Sequence, residues 1–156
     1  MMTNRPPVQR MIAAAMANLI NADATFGPII RAEQVADAKR RLHELREGEM
    51  IVDCIGQGSR YTPRNRRHGD RTYIVWVAVH MKLRDGVVTN DALDECGYWS
   101  EQIQEFFHGE AQNHIVLTDG SGVTLGTSEP FPLSREALFG HGLHMATFST
   151  EWIVVR

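Results

Sequence analysis

The chain has 156 residues, 43% of them hydrophobic and 22% charged, which suits one domain with a core large enough to fold without disulfides or metals. Its two cysteines do not make a disulfide framework, and its formal net charge of −3 argues against a general nucleic-acid binder. Because no apolar run approaches the roughly 18 residues of a membrane-spanning helix and no signal-peptide core is visible, we expect a protein made and kept in a reducing cytoplasm.

The charges are unevenly placed along the chain. Of the 16 basic residues 14 are arginines, and five lie in what we call the arginine segment, residues 60–71. These five are Arg60, Arg64, Arg66, Arg67 and Arg71. Residues 91–110 hold six acids and no Lys or Arg, namely Asp91, Asp94, Glu95, Glu101, Glu105 and Glu110. Arginine is suited to planar, partly desolvated contacts with carboxylates and phosphates.

The first third of the chain predicts a helix, a short strand and a second helix. After Pro6-Pro7, apolar residues at i, i+3, i+4 and i+7 predict an amphipathic helix that ends by Asp23. Its apolar stripe is Val8, Met11, Ile12, Ala15, Met16, Leu19 and Ile20. Residues 29–35 are predicted to form a short strand, and residues 36–46 a short charged helix.

The middle of the chain predicts an extended β-hairpin. Residues 50–55 form one strand, and residues 71–83 form a longer one that is rich in β-branched and aromatic side chains. The arginine segment joins them as a basic tip. Because the long strand would span about 43 Å, we expect it to run past its own core, with Tyr73–Val79 buried and Met81 near the opposite edge.

The last third predicts one more main helix and two strands. Thr89 or Asn90 is expected to cap a helix over 91–108, whose buried side is Leu93, Cys96, Gly97, Ser100, Ile103, Phe106 and Phe107. Strands are expected over 114–118 and 143–155, with a glycine-rich turn at 119–126 and a short helical segment at 135–139. The sequence therefore predicts one α+β domain over residues 1–156, with a mostly antiparallel sheet of four to five strands packed against two main helices.

A catalytic or metal site is not indicated by any motif. His141 and His144, three apart, would point to opposite faces of a strand, which does not suit a tetrahedral metal site. His80 is predicted to lie at a face boundary of the long strand. The glycines at 56–58 and 120–126 lack the features of phosphate-binding motifs and are expected in loops with positive φ. Cys54 and Cys96 are expected to be buried structural thiols.

The arginine segment carries the functional signal. It is either a solvated surface loop or a contact with a carboxylate or phosphate partner. The chain has its own carboxylate-rich surface in helix 91–108, and opposite charges on two surfaces of one subunit are what a head-to-tail ring requires. A nucleic-acid-binding module is an alternative, although few aromatics are interleaved with the arginines, and a small hydrolase is a third.

The order of elements also resembles the tail-terminator (tail-completion) proteins of long-tailed bacteriophages and prophages. The helix motif D-x-x-D-E-x-x-x-W-x-x-x-I-x-x-F begins at Asp91. The other features that carry the resemblance are helix Val8–Ile20, strand Met50–Ile55, Ser59-Arg60, the Arg71-Thr72-Tyr73 entry to the long strand, P-L-S-R-E-A-L at Pro132–Leu138, and the final strand. The chain departs from the family pattern at Gly140-His-Gly142-Leu-His.

The resemblance implies a subunit without catalytic activity or cofactor that forms a ring, usually hexameric, at the head-proximal end of the tail tube. It implies contacts with the tail-tube protein and with a head–tail connector or stopper, and DNA passing through the lumen. Other neck or tail-completion subunits share this architecture. The five arginines then become candidates for subunit or tube contacts. The candidates for a complementary or lumen-lining face are Asp91, Asp94, Glu95, Glu101 and Glu105.

Overall fold

The computed structural model describes residues 6–36, 45–63, 69–87, 89–130 and 143–155. The two main helices are α1 (Val8–Ala22) and α2 (Asn90–His108). The strands are β1 (Ile30–Gln34), β2 (Met50–Pro63), β3 (Gly69–Lys82), β4 (His114–Val116), β5 (Gly122–Pro130) and β6 (Leu143–Val155). The α+β prediction is confirmed, and the sheet has six strands where four to five were expected.

The sheet is mixed, in the order β1-β2-β3-β6-β5-β4. Only β1 and β2 run parallel, and the other neighbours are antiparallel. Helix α1 packs on β1, β2 and β3, and α2 packs on β3, β5 and β6. A single hydrophobic cluster contains side chains from both helices and alternate residues of β3 from Val75 to Met81. Both helices therefore cover the same face of the sheet.

The two main helices lie close to their predicted bounds, and part of each predicted apolar side is buried. Helix α1 ends at Ala22 with Asp23 as its C-cap, and its buried residues include Met11, Ile12, Met16 and Ile20. The N-terminus of α2 is capped by Thr89, whose Oγ1 accepts a hydrogen bond from the Ala92 amide at 3.1 Å. The buried residues of α2 are Cys96, Ser100, Ile103 and Phe107. The predicted strands at 29–35 and 143–155 are confirmed as β1 and β6.

Two glycine-rich stretches that were expected in loops lie in strands. The predicted turn at 119–126 is confined to its first residues, with Gly120 at φ +85°, and β5 begins at Gly122. The glycines at 56–58 lie within β2, at a β-bulge where Gly58 has φ +151°. Pairing with β6 and with β3 outweighs the weak strand propensity of glycine at these positions.

The burial of β3 differs from the prediction. Met81 was expected near an outer edge, but it is 3% exposed and belongs to the core, whereas Tyr73 is only partly buried. His80 was expected at a face boundary and is fully buried. The reason is that β3 is a central strand whose C-terminal half is buried on both faces. On the face opposite the helices, Ala78 of β3 and Ile51 of the neighbouring β2 are also inaccessible.

Some predictions fall on residues outside the described part of the chain. These are most of the charged helix at 36–46, the tip of the arginine segment at 64–68, and the helical segment at 135–139 with His141.

Candidate assembly interface

The outer half of the β2–β3 hairpin extends past its neighbouring strands. The pairing of β2 with β3 continues to Pro63 and Gly69. By contrast, β1 pairs with β2 only from Met50 to Cys54, and β6 pairs with β3 only from Thr72 onward. We call residues 58–63 and 69–71 the arm. Within the described residues, no further strand lies beside β2 after Cys54 or beside β3 before Thr72, so residues 61–63 and 69–71 form a two-stranded ribbon.

Two of the five predicted contact arginines lie on the arm. Nη2 of Arg60 is 2.8 Å from Oε1 of Glu151 on β6, which ties the arm to the sheet. Nη1 of Arg71 donates a hydrogen bond to Oγ of Ser59 at 2.9 Å and joins the two strands of the arm. Both arginines are exposed, so these contacts orient the arm more than they stabilise the fold. Arg64, Arg66 and Arg67 lie outside the described residues.

Tyr61 is the exposed aromatic residue of the arm. Its side chain is 52% accessible, and its ring lies over the backbone of Gly69, where a Cβ would collide with the ring. The guanidinium carbon of Arg71 is 5.8 Å from the ring centroid, within the range of a cation–π contact. The ring is therefore held in one place while part of its apolar surface stays open to solvent.

The predicted acidic residues are brought to the surface by α2. Asp91, Asp94, Glu95, Glu101 and Glu105 are all exposed. They belong to a longer acidic stretch, because the chain has nine Asp and Glu residues and no Lys or Arg between Arg84 and Arg135. This stretch includes α2, β4 and β5, so one end of the sheet is acidic and the arm is basic.

The two edges of the sheet differ in how their backbone groups are satisfied. At the β1 edge, the Asn21 side chain of α1 accepts a hydrogen bond from the Ala32 amide at 2.8 Å and donates one to the Ala32 carbonyl at 2.7 Å. Asn21 thus takes the place of a neighbouring strand at that point. An amide side chain used in this way blocks pairing with another chain.

The β4 edge has no such cap in the described part of the chain. Leu117 donates to Ser121, and Leu125 donates to Asn113, both at 2.8 Å, so the odd-numbered residues of this strand face β5. The backbone groups of His114 and Val116 consequently point away from β5. Val116 also has a 67% exposed side chain. The sequence predicted this strand, at residues 114–118, but not its position at an edge of the sheet, because the order of strands cannot be read from a short strand pattern.

An open cleft of about 710 Å³ lies beside the β4 edge. Helix α1 forms one wall with Arg10, Ala14, Ala15 and Asn18, and the β4 strand and Gln34 contribute to the lining. The small alanines leave the space open, and the amides of Asn18 and Gln34 offer hydrogen-bonding groups. The cleft can therefore accept an aromatic side chain or an extended segment of backbone.

The buried polar pair on the opposite face of the sheet joins β2 to β3. Nε2 of His80 is 2.9 Å from Oδ2 of Asp53, and both side chains are fully buried. Nδ1 of His80 has no hydrogen-bond partner within the described residues. No group of three or more His, Cys, Asp or Glu side chains in that part of the chain is placed to hold a metal ion.

Both cysteines are buried, as predicted. Burial, with a smaller contribution from neighbouring Asp53, raises the pKa of Cys54 far above its usual range. Burial is also the main cause that raises the pKa of Cys96 to about 12. Neither thiol has the depressed pKa of a nucleophile.

No family model matches the chain, and no curated protein matches it. Within the described residues, neither helix is long and apolar enough to cross a membrane.

Proposed function

We propose that this chain is a structural subunit that forms a ring, of six copies in the usual arrangement, at the head-proximal end of a phage tail tube. The ring stops polymerisation of the tube and joins the tail to the head connector or stopper, and DNA passes through its lumen. The observation that carries the proposal is the arm, a basic strand ribbon whose edges are open in the described chain. Open edges pair readily with other chains, so globular proteins generally protect them.

The distribution of charge supports contacts between copies of the chain. The arm is basic, and α2 with β4 and β5 is acidic, so two different surfaces of one subunit are complementary. Contacts of this kind are heterologous and close into a ring when the rotation between subunits allows it. The acidic face of α2 then serves as a complementary surface or as a lining of the lumen. The subunit would be assembled in the host cytoplasm and become part of the virion.

Two alternatives use the same observations. Another neck or tail-completion subunit would have the same fold and the same self-association. A nucleic-acid-binding module would use the arginine segment on phosphates, and it is favoured only by the cluster of five arginines.

Size-exclusion chromatography with light scattering, together with negative-stain images, tests the proposal. We expect a mass several times 17.6 kDa and an annulus with a central hole. Changing Arg64, Arg66 and Arg67 together to Glu should return the protein to single subunits. The matched control changes Arg31, Arg46 and Arg84 to Glu, which alters the net charge equally outside the arm and should leave the ring intact.

Two results would contradict the proposal. A protein that stays monomeric and binds DNA with an affinity that falls steeply with salt is the nucleic-acid module. A ring that survives the triple change in the arginine segment shows that this segment is only solvated surface.

A further inference from the structure

We propose that the arm of one copy docks in the cleft between α1 and β4 of a second copy. Strand 58–63 then adds to the outer edge of β4, which pairs with no strand among the described residues, and the Tyr61 ring enters the cleft. This inference rests on the self-association proposed above and names the surface that receives the arm.

The two open edges are the first argument. Among the described residues, β2 has no strand partner on its outer edge after Cys54, and β4 presents the outward backbone groups of His114 and Val116. No arm residue lines the cleft of its own chain among the described residues. Pairing between the arm of one copy and the β4 of the next satisfies both edges and extends the sheet from subunit to subunit. Asn21 occupies the β1 edge at Ala32, whereas the outward groups of β4 have no such side-chain partner among the described residues.

Charge complementarity is the second argument. Residues 58–72 have five Arg and one Asp, a formal charge of +4. The β4 strand lies inside the stretch without Lys or Arg, and the exposed carboxylates Glu110 and Asp119 precede and follow it in the sequence. The cleft itself includes Arg10 from α1, whose guanidinium can donate to carbonyl oxygens of an incoming strand.

The fit between Tyr61 and the cleft is the third argument. A buried tyrosine removes roughly 150–250 Å² from water, and aromatic anchors in pockets carry much of the energy of an interface. The ring is held ready by Gly69 and Arg71, which lowers the entropy lost on docking. The walls at Ala14 and Ala15 leave room for it, and the amides of Asn18 and Gln34 are suitable partners for its hydroxyl group.

The acidic face of α2 is a weaker acceptor than the cleft. It offers the arm exposed carboxylates, and each exposed ion pair contributes only about 0–1 kcal/mol. It has no open backbone edge, because the groups of a helix are paired internally. The cleft supplies apolar surface and the outward backbone groups of β4, which the helix does not offer.

Cross-linking of single-cysteine variants tests the inference. A Thr62→Cys variant is mixed with a Val116→Cys variant, the ring is reassembled, and a short bismaleimide is added. The native thiols are buried with raised pKa values, so they should not react in the folded protein. We expect a covalent dimer at least ten times faster than from the control mixture of Thr62→Cys with Glu101→Cys, which probes the acidic face of α2.

The outcomes separate this inference from the proposed function. If rings form and Thr62→Cys couples to Glu101→Cys instead, or to neither, then the cleft is not the acceptor and the inference is wrong while the ring proposal stands. If no oligomer forms under any condition, the proposed function itself fails.

A second pair of variants tests whether the Tyr61 ring anchors the arm in the cleft. Tyr61→Ala should weaken self-association at least tenfold, whereas Tyr61→Phe, which keeps the ring, should remain near the wild type. Because Tyr61 is exposed, folding of these variants is not at risk. Equal association of the alanine variant and the wild type would overturn the role of Tyr61.

Discussion

The inner and outer halves of the β2–β3 hairpin belong to the same two strands and differ in almost every physical respect. Inner residues such as Val52 and Val79 are inaccessible, with neighbouring strands on both sides. Arm residues such as Tyr61 are exposed, and their ribbon has no outer partner in the described chain. The comparison shows that strand propensity fixes the local conformation, whereas the neighbouring elements determine whether a strand belongs to the core or to a contact surface.

The boundary between the two halves is the bulge at Gly56 and Gly58. A Cβ at Gly56 would lie 3.0 Å from the Arg10 amide nitrogen, so glycine allows α1 to approach the strand closely. Gly58 has φ +151°, which other residues rarely adopt. Past this point the pairing register of β2 with β3 shifts by one residue. This shift changes how the side chains of the arm are oriented relative to those of the core.

The largest effect is expected in the inner half, at the buried pair. Asp53→Ala removes the carboxylate that lies 2.9 Å from Nε2 of the fully buried His80, and loss of the partner of a buried polar group costs about 1–3 kcal/mol in the free energy of unfolding. Urea unfolding measures it. The same change in the arm, Asp70→Ala, is the matched control and should cost less than about 1 kcal/mol. Similar losses in the two variants would show that the halves do not differ as described.

An intermediate effect on stability is expected at Cys96, where α2 packs on the inner half of the hairpin. The Cys96 thiol donates to the Val79 carbonyl at 3.4 Å, and burial raises its pKa from the usual 9.0 to about 12. The unfolded chain therefore loses this proton at lower pH than the folded one, so stability falls between about pH 9 and pH 12. Cys96→Ala should reduce that slope by about 1 kcal/mol per pH unit, as measured by urea unfolding at several pH values. An unchanged slope would show that the folded thiol titrates normally.

Much of the fold follows from local patterns. Periodic patterns predicted two elements, the helix from its apolar stripe between Val8 and Ile20 and strand β6 from its alternating residues. The N-terminus of α2 was predicted from a capping residue, Thr89. Met81 and His80 could not be placed in this way, because their burial depends on what covers the far end of β3. The glycine-rich β5 was missed for a related reason, since its strand conformation comes from pairing with β6 and not from its own residues.

Some features of the candidate interface can be predicted from the sequence, and others depend on how the elements pack together. Clustered arginines and clustered acids are visible in the sequence, and Arg60, Arg71 and the five acidic residues of α2 are exposed in the structure. The open β4 edge and its cleft depend on how α1, β1 and β4 come together, and this cannot be read from a three-residue strand. Asn21, which closes the β1 edge, looks in the sequence like an ordinary polar residue near the end of a helix.

The smallest effect on stability is expected at Tyr61, the exposed aromatic residue of the arm. Tyr61→Ala should change the free energy of unfolding by no more than about 0.5 kcal/mol, because its ring covers only the arm and is 52% accessible. The measurement is urea unfolding at a concentration low enough to keep the protein monomeric, so that loss of association does not enter. A loss of about 2 kcal/mol would show that the ring packs as part of the core. A neutral result, together with weakened association of the same variant, would locate the role of Tyr61 in contacts between copies.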